Sequence, residues 1–504
     1  MSKQTEHYTI PSPDYAQAGE EGAPYRVQSF EAINARMVRQ PTDAGGVSST
    51  AWEITFRVPS GLQLGHDDIA AGMQIGLLPR NDDARVNRLV SLLRDVPSQP
   101  VSANLPGRGT GALPPQSLTP QQVIAHTLDI TRPTPQLYDL VAFERQPDAL
   151  FDQPIGAFMQ RLRAHAEGNK ATAQLYSQLS SHLPQTDTQE SARSVLQRLS
   201  ERGVIRFSAC QDMLQQMGVE IEHAEDCNLP VEEWLTHHPG QISFEQLVQN
   251  QPPLANRKYT PSEVNKQDGT LSILFSEVHA PDQADQSKQY AGTMTRQLTD
   301  IAHRLQQDPE TPIAVDGYLD LRKHKLPYKQ AQQEDAPMVL LSTGVGLAPH
   351  LAMLREANAE GHTPRVALFA NGGRHAAEEL CGDEVRQLLG DQAEAYQFVA
   401  SAEAAEGQPR YVQDVLQLQH ENVWQALNEQ GGHVYMCGLQ AMQEGAEQTL
   451  AGIARQHGMT DGQAWVQQLK DSGRLHASTS APDRFYKDKW PKEVARREAE
   501  QRAL

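Results

Sequence analysis

The sequence has few of the features that mark a metal-binding, disulfide-bonded or membrane protein. Its 504 residues include only four cysteines, which have neither CxxC nor Cys/His spacing, so they indicate no zinc site and no disulfide framework. No apolar run approaches the roughly 18 residues that a membrane helix needs. The amino terminus has neither a signal-type apolar core nor an Arg-rich amphipathic face. We therefore predict a soluble cytoplasmic protein with reduced thiols and no metal.

Basic residues are outnumbered: 44 Lys and Arg against 63 Asp and Glu give a formal net charge of -19. This charge repels nucleic acid and anionic membranes, so we expect neither as a partner. The motifs G-x-S-x-G, H-E-x-x-H and G-x-x-x-x-G-K-[ST] are missing, so a hydrolase has little support. A chain of this length and composition is typical of a globular protein with more than one domain.

Strand and helix patterns follow one another in blocks. Short strand patterns after Tyr25 are typical of part of an antiparallel barrel, and similar patterns return at 271–280 and 312–321. Helical patterns fill most of the interval between them, which indicates a helical insertion within a barrel domain. After Asp335, apolar strands alternate with helices, and this alternation predicts a parallel, doubly wound sheet.

The predicted fold class is therefore α/β plus β-barrel. The predicted segments are a flexible lead-in over 1–24, a barrel domain over 25–334 with a helical insertion at about 85–250, a doubly wound domain over 335–490, and a charged tail over 491–504.

Two strand ends in the doubly wound region are candidate ligand sites. In "STGVGLAP", Gly344 and Gly346 lie between a strand and a helix, where a ligand can approach the backbone and helix N–H groups face a phosphate. The same stretch is equally typical of a buried strand that ends in glycines. "HVYMCG" places Cys437 at the carboxyl edge of the sheet, where such folds bind ligands, although a buried cysteine is more often structural.

Two further stretches lie earlier in the chain. In "RKYT", Arg257 and Tyr259 alternate along a strand and so present a cation and an aromatic plane on one face. In "GTMT", Gly292 and Thr295 occupy a helix start, which is a second candidate anion site. Each stretch, taken alone, is also explained as a loop with a helix cap.

In this order, the four stretches resemble the FAD- and NADP-binding half of the diflavin reductases. This is the family of cytochrome P450 reductase and the sulfite reductase flavoprotein, within the ferredoxin–NADP reductase superfamily. The resemblance extends from about Tyr25 to Trp490 and includes "GMQIGLLPRN", with Gly72 and Asn81, and "HTLDITRPTPQLYDLVA". It implies an antiparallel FAD-binding barrel with a helical insertion, followed by a doubly wound NAD(P)-binding domain.

The implied activity is that of an FAD-dependent NAD(P)H oxidoreductase. Hydride passes from the nicotinamide to FAD, and single electrons then pass to a separate acceptor, which is a flavodoxin-like protein, an FMN subunit, or a haem or siroheme protein. The implied cofactors are FAD and NADPH or NADH. Because no flavodoxin-like pattern precedes the barrel, we expect no FMN in this chain.

The resemblance also implies roles for individual residues at the flavin. Arg257 would bind the FAD pyrophosphate, Tyr259 would stack on the isoalloxazine, and Thr260 would place its hydroxyl near flavin N5. At the carboxyl end, Asp488 would lie near the reacting atoms and Trp490 would cover the flavin ring. The pyrophosphate would also be held by the backbone of Gly292, Thr293, Met294 and Thr295.

For the nicotinamide dinucleotide, the resemblance implies a pyrophosphate site and a nicotinamide site. Cys437 would lie near the nicotinamide during hydride transfer. The pyrophosphate would be flanked by Gly344, Val345 and Gly346, and the 2′-phosphoadenosine would be received by Ser401, Arg410, Tyr411 and Gln413.

Several residues depart from the family pattern. Val345 replaces a Thr, and Leu439 replaces an Asp. Ala402 stands where the family has an Arg that clamps the 2′-phosphate, which leaves the preference between NADPH and NADH open. These departures, with the residues that follow Trp490, motivate an alternative: a noncatalytic nucleotide-binding or scaffold subunit that retains the reductase fold.

Overall fold

A computed structural model of the chain describes residues 7–8, 28–40, 50–59, 70–103, 116–144, 148–167, 169–183, 189–206, 229–277, 280–281, 289–290, 292–320 and 326–480. The chain divides into two compact units. The helical unit comprises Met1–Tyr25 and Pro79–Asn256, and the two-sheet unit comprises Arg26–Leu78 and Arg257–Leu504. The domain boundaries given above stay a prediction.

The helical unit contains a small sheet and a series of helices. The sheet has the order β1-β5-β6, with β1 at His7–Tyr8, β5 at Val101–Ala103 and β6 at Gln116–Leu118. Its described helices are α1 (Asp83–Leu92), α2 (Pro120–Thr127), α3 (Pro135–Glu144), α4 (Asp148–Phe151), α5 (Ile155–Ala166), α6 (Lys170–His182), α7 (Ala192–Glu201), α8 (Val231–Trp234) and α9 (Phe244–Asn250).

Local sequence signals fix several of these helices. Thr119 and Ser243 form capping boxes at the starts of α2 and α9, each with a Gln three residues later. Asn81 is buried and donates to the carbonyls of Ile124 and Leu128, at 2.8 and 2.7 Å. Residues 207–228, which belong to the predicted helical insertion, lie outside the described residues. Within the described part of the chain, no helix has both the length and the apolar character needed to cross a membrane.

An antiparallel sheet of seven strands forms the first half of the two-sheet unit. Trp52, Ile54 and Phe56 alternate along one strand, are buried, and pack with helix α10 (Thr293–Gln307) in one core. The antiparallel sheet predicted from the period-two patterns is confirmed. Its order is β7-β4-β12-β2-β3-β9-β8, with β2 at Gln28–Arg39, β3 at Ala51–Arg57, β4 at Gln74–Leu77, β7 at Arg257–Tyr259, β8 at Glu263–Asn265, β9 at Thr270–Ser276 and β12 at Ile313–Asp320. A separate two-stranded ladder joins β10 (Ala280–Pro281) to β11 (Gln289–Tyr290).

A five-stranded parallel sheet forms the second half, as the alternation of strands and helices predicts. Leu340 faces one apolar core and Leu341 the other, because helices cover both faces. The order β15-β14-β13-β16-β17 reverses between β13 and β16, and ligands of such sheets bind where the order reverses. The strands are β13 (Met338–Thr343), β14 (Val366–Gly373), β15 (Tyr396–Ala400), β16 (His433–Leu439) and β17 (Leu475–Ser480).

The helices around this sheet follow the strands along the chain. Four of them lie between β15 and β17 along the chain, two before β16 and two after it. The helices are α11 (Tyr328–Gln333), α12 (Ala348–Ala359), α13 (Gly382–Leu389), α14 (Val412–Leu418), α15 (His420–Trp424), α16 (Gln440–Gln456) and α17 (Gly462–Asp471).

Ion pairs join the antiparallel sheet to the helices of the parallel sheet. The buried carboxylate of Glu53, on β3, accepts from Arg355 of α12 at 2.7 Å and from Arg36 of β2 at 2.6 Å. It also accepts from the hydroxyl of Ser262 at 2.5 Å. Arg355 makes a second ion pair with Glu384 of α13 at 2.7 Å. Both charges of the buried pair are therefore compensated.

Candidate functional site

The two glycine-containing strand ends meet at the carboxyl edge of the parallel sheet. A Cβ atom on Gly346 would lie 2.3 Å from the carbonyl oxygen of Cys437, so only glycine fits there without a shift. A Cβ atom on Gly438, whose φ is 147°, would lie 2.3 Å from Oγ1 of Thr343. The structure therefore brings the predicted pyrophosphate loop and the predicted nicotinamide site into direct contact.

The loop after β13 leads into α12 through one 3-10 turn, Gly344–Leu347. Gly344 has a φ of 53° and open space where a side chain would project. Val345 is half-buried and packs against the apolar core on one face of the sheet. No side chain accepts a hydrogen bond at the start of α12. The positive end of the helix dipole is therefore not neutralised by a capping side chain. This arrangement suits a phosphate.

Cys437 lies at the end of β16 with only 8% of its surface exposed. Burial raises the pKa of its thiol to about 12. The thiol is therefore neutral at physiological pH, and a neutral thiol is a weak hydrogen-bond donor and a poor nucleophile. This residue can therefore contact a ligand and donate a weak hydrogen bond, but it cannot act as a nucleophile.

The ends of β14 and β15 form the next part of the same edge. The backbone N–H of Ser401 donates to the carbonyl of Gly373 at 2.9 Å, and that of Ala402 donates to the carbonyl of Arg374 at 2.8 Å. Ser401 is half-buried and Ala402 is exposed. The predicted adenosine site thus begins on a hydrogen-bonded pair of strand ends.

Arg374 is a candidate that the sequence reasoning missed. Its side chain is exposed directly beyond the end of β14, and its carbonyl accepts from Ala402. A basic residue just after a strand-end Gly-Gly was the available signal. Its backbone contacts Ala402, the position where the resemblance predicts the loss of the family's Arg.

A carboxylate lies close to this cation. Glu403 accepts from the backbone N–H of Ala376 at 3.0 Å and pairs with Nδ1 of His375 at 2.9 Å. These two contacts, the backbone N–H first, hold the pKa of Glu403 below its ordinary value. The predicted adenosine site therefore has both a basic and an acidic residue along this edge.

The predicted 2′-phosphoadenosine element lies at the start of α14. The backbone N–H groups of Arg410 and Tyr411 donate to Oδ2 of Asp414 at 2.8 and 2.9 Å. The Arg410 side chain is exposed and Tyr411 is half-buried. Gln413 is buried, with its amide 3.2 Å from the position of a Cβ atom on Gly445 of α16. Its role stays a prediction, as do those of Arg410 and Tyr411.

"RKYT" forms the edge strand β7 of the antiparallel sheet. Tyr259 pairs with Ile75 and Arg257 with Leu77, so both side chains lie on one face of the strand. Lys258, on the other face, pairs with Asp320 at 3.4 Å. Tyr259 packs against the apolar core, and burial raises the pKa of its phenol, which stays neutral. Thr260 follows the strand and is half-buried.

"GTMT" begins helix α10. Gly292 is its N-cap and has no side chain to accept from the first-turn N–H groups, which is an arrangement that leaves room for an anion. The Met294 side chain points into the core, while Thr293 and Thr295 are half-buried. Any contact of Met294 with a ligand is therefore through its backbone. Asp488 and Trp490 lie outside the described residues, and their roles stay predictions.

Comparisons with known proteins agree with this geometry. Residues 340–448 match the model of the oxidoreductase NAD-binding domain. The ferredoxin–NADP reductase of Thermosynechococcus vestitus is 28% identical over 154 residues, 29% of this chain and 40% of the relative. The sulfite reductase [NADPH] flavoprotein alpha-component of Mannheimia succiniciproducens is 28% identical over 251 residues, 49% of this chain and 39% of the relative. The same component from Neisseria meningitidis serogroup B is 28% identical over 216 residues, 42% of this chain and 33% of the relative.

The parallel sheet is thus an oxidoreductase NAD-binding domain behind an antiparallel sheet. Residues 340–448 are an oxidoreductase NAD-binding domain, and the chain is similar to ferredoxin–NADP reductase and to the sulfite reductase flavoprotein, as the resemblance in its sequence predicts. It spans about two fifths of the length of the first two curated relatives it matches. The activity, substrates and partners of the whole protein are therefore proposed below.

Proposed function

We propose that the chain is an FAD-dependent NAD(P)H oxidoreductase that delivers single electrons to a separate acceptor protein. When bound, FAD would accept two electrons as hydride and release them one at a time. The acceptor class follows from the family: a flavodoxin-like protein, an FMN subunit, or a haem or siroheme protein. The relatives named for sulfite reduction favour the last of these.

The contact between Gly346 and the backbone of Cys437 is the observation that carries this proposal. It joins a helix amino terminus, suited to a pyrophosphate, to the cysteine strand end at the point where the strand order reverses. A side chain at residue 346 would overlap the carbonyl of Cys437 and push the two loops apart.

The residues of the antiparallel sheet fit a flavin by their chemistry. Arg257 offers a cation and Tyr259 a neutral aromatic ring on one strand face, while the uncapped start of α10 offers backbone N–H groups. Arg257 and the α10 start would bind the FAD pyrophosphate, and Tyr259 and Thr260 would contact the isoalloxazine. Cys437 would hold the nicotinamide by contact, since its thiol is neutral.

Anaerobic spectroscopy of the purified full chain tests the proposal. We expect a yellow protein, or one that FAD turns yellow, whose flavin absorbance bleaches when NADPH or NADH is added. Oxidation by a one-electron acceptor such as ferricyanide should then restore the absorbance. A colourless protein that FAD cannot reconstitute would instead support the noncatalytic subunit with a retained fold.

Two variants on strand β7 distinguish loss of FAD binding from loss of the fold. Tyr259→Ala should lose FAD while the far-ultraviolet circular dichroism stays that of the wild type, because the ring lies on an edge strand and is only partly buried against the core. Lys258→Ala alters the opposite face of the same strand and is the matched control, with FAD retained. Equal FAD affinity in both variants would contradict the assignment of Tyr259.

A further inference from the structure

Two histidines and a glutamate converge on the helices of the parallel-sheet domain. Nδ1 of His420, the first residue of α15, lies 3.4 Å from Nε2 of His457, which follows the end of α16. The carboxylate of Glu421 lies 3.8 Å from the first nitrogen and 3.9 Å from the second. The three ligand atoms lie within 4.8 Å of one another.

The separation of the two imidazole nitrogens matches that of zinc ligands. Zn²⁺ binds imidazole nitrogen at about 2.0–2.1 Å in tetrahedral geometry, which places two ligand atoms roughly 3.4 Å apart. Two imidazoles and a carboxylate are also a ligand set that Zn²⁺ accepts, with a fourth position left for water. The His420–His457 distance already has this value, and one carboxylate oxygen of the exposed Glu421 side chain must move roughly an ångström closer to complete the set.

The packing around the cluster holds the ligands in place. The indole ring of Trp424 stacks on His457 with 4.8 Å between centroids and 4° between planes, which fixes the orientation of this imidazole. Gln417 of α14 donates to Gln456 of α16 at 3.0 Å, next to the cluster, and so joins the two helical segments that carry the histidines. Only a small rearrangement is therefore needed on binding.

We propose that His420, Glu421 and His457 form a Zn²⁺ site that joins the segment α14–α15 to the end of α16. The seventeen-residue helix α16 runs back from the carboxyl edge of the sheet, so its far end lies about 25 Å from the dinucleotide loops at 1.5 Å per residue. The role is structural, and hydride transfer does not pass through this site. The prediction of no metal rested on cysteine spacing, whereas this site brings together His420 and His457 from separate helices.

Metal titration of the intact chain tests the site. The protein is freed of metal with a chelator, and ZnCl₂ is added in a calorimeter. We expect one tight equivalent, a higher thermal unfolding midpoint with Zn²⁺, and an intense visible band of tetrahedral coordination when Co²⁺ replaces it. His420→Gln and Glu421→Gln should each weaken binding at least about tenfold, because loss of an outer-shell contact alone costs that much.

The controls make a negative result decisive. Glu421 is 79% exposed, so its substitution leaves the fold intact and isolates the ligand role. His362→Gln removes an exposed histidine near the end of α12 and should leave the titration unchanged. The site is refuted if the wild type binds no stoichiometric Zn²⁺, or if His420→Gln and Glu421→Gln bind as the wild type does. A wild-type protein that binds Zn²⁺ but whose flavin is not reduced by NADPH or NADH would count against the proposed function and not against this site.

Discussion

At the scale of the residue, the position of Gly346 is set by the backbone of a distant strand. A methyl group there would collide with the carbonyl of Cys437, and the cost of such overpacking is about 1–3 kcal/mol. We expect Gly346→Ala to weaken NADP⁺ binding, measured by anaerobic titration, and to lower the unfolding midpoint. Gly452→Ala is the matched control, because nothing lies within 4 Å of its Cβ position in α16. That variant should be neutral or slightly more stable, and equal binding by both variants would contradict the contact.

In the proposed function, residues at the end of β15 would set the preference between NADPH and NADH. Ala402 is exposed beside Arg374, while the nearby Glu403 is an anion that repels a 2′-phosphate. We expect Ala402→Arg to lower KM for NADPH about tenfold and to leave KM for NADH unchanged, since a charge-assisted hydrogen bond is worth about 1.5–3 kcal/mol. Ala405→Arg adds the same charge at another exposed position. If both variants keep the wild-type ratio of the two constants, Ala402 does not face the 2′-phosphate.

His350, on the helix that follows the Gly344–Leu347 turn, makes the stability of the fold depend on pH. It is fully buried on α12, with Nδ1 2.7 Å from the Tyr328 hydroxyl and Nε2 3.1 Å from the Leu341 carbonyl. Burial lowers the pKa of His350 to about 4. The unfolded chain, with an ordinary pKa of about 6.5, therefore takes up a proton that the folded chain does not, and stability falls as the pH drops from about 6.5 to 4.

This contribution to the free energy of unfolding is roughly 3 kcal/mol. It is present in full above about pH 6.5 and lost as the pH falls towards about 4. Urea unfolding at a series of pH values measures it. His350→Gln should have a flatter profile over this interval, because it has no proton to take up. Parallel profiles for the wild type and the variant would show that His350 is protonated equally in both states.

At the scale of elements, the buried carboxylate of Glu53 connects β3 to α12. Burial opposes its ionisation, but Arg355, Ser262 and Arg36 together hold the pKa of Glu53 below its ordinary value. The pair is thus charged at neutral pH, and removal of one charge leaves Arg355 partly uncompensated. Buried pairs of this kind differ from surface pairs because water no longer screens the remaining charge.

Glu53→Gln should therefore lower the free energy of unfolding by about 3 kcal/mol. Glu31→Gln is the matched control, because Glu31 pairs with Arg57 at 2.5 Å on the same sheet with both side chains about half exposed. That change should cost less than about 1 kcal/mol. Denaturant unfolding followed by circular dichroism measures both, and similar losses in the two variants would show that the Glu53 pair behaves as a surface pair.

At the scale of the whole molecule, both sheets lie in one compact unit although the helical segment interrupts the sequence of the antiparallel sheet. Period-two strand patterns and the strand–helix alternation predicted the antiparallel and parallel sheets, because these periods are local. The grouping of Arg26–Leu78 with the carboxyl-terminal sheet was not predicted, since it depends on contacts far apart in sequence. The candidate site shows the same division: the glycines and Cys437 were visible in sequence, but Arg374 was not recognised.

The sequence by itself determined the two kinds of sheet, the helix starts with their caps and glycines, and the resemblance to flavin-dependent reductases. These features are encoded by neighbouring residues, through side-chain alternation and local backbone freedom. Only the tertiary structure decided which strand ends meet. It brought Gly346 against Cys437, Arg374 beside Ala402, and His420 within 3.4 Å of His457. Strand order and helix packing fix such contacts, and neither is written in a local pattern.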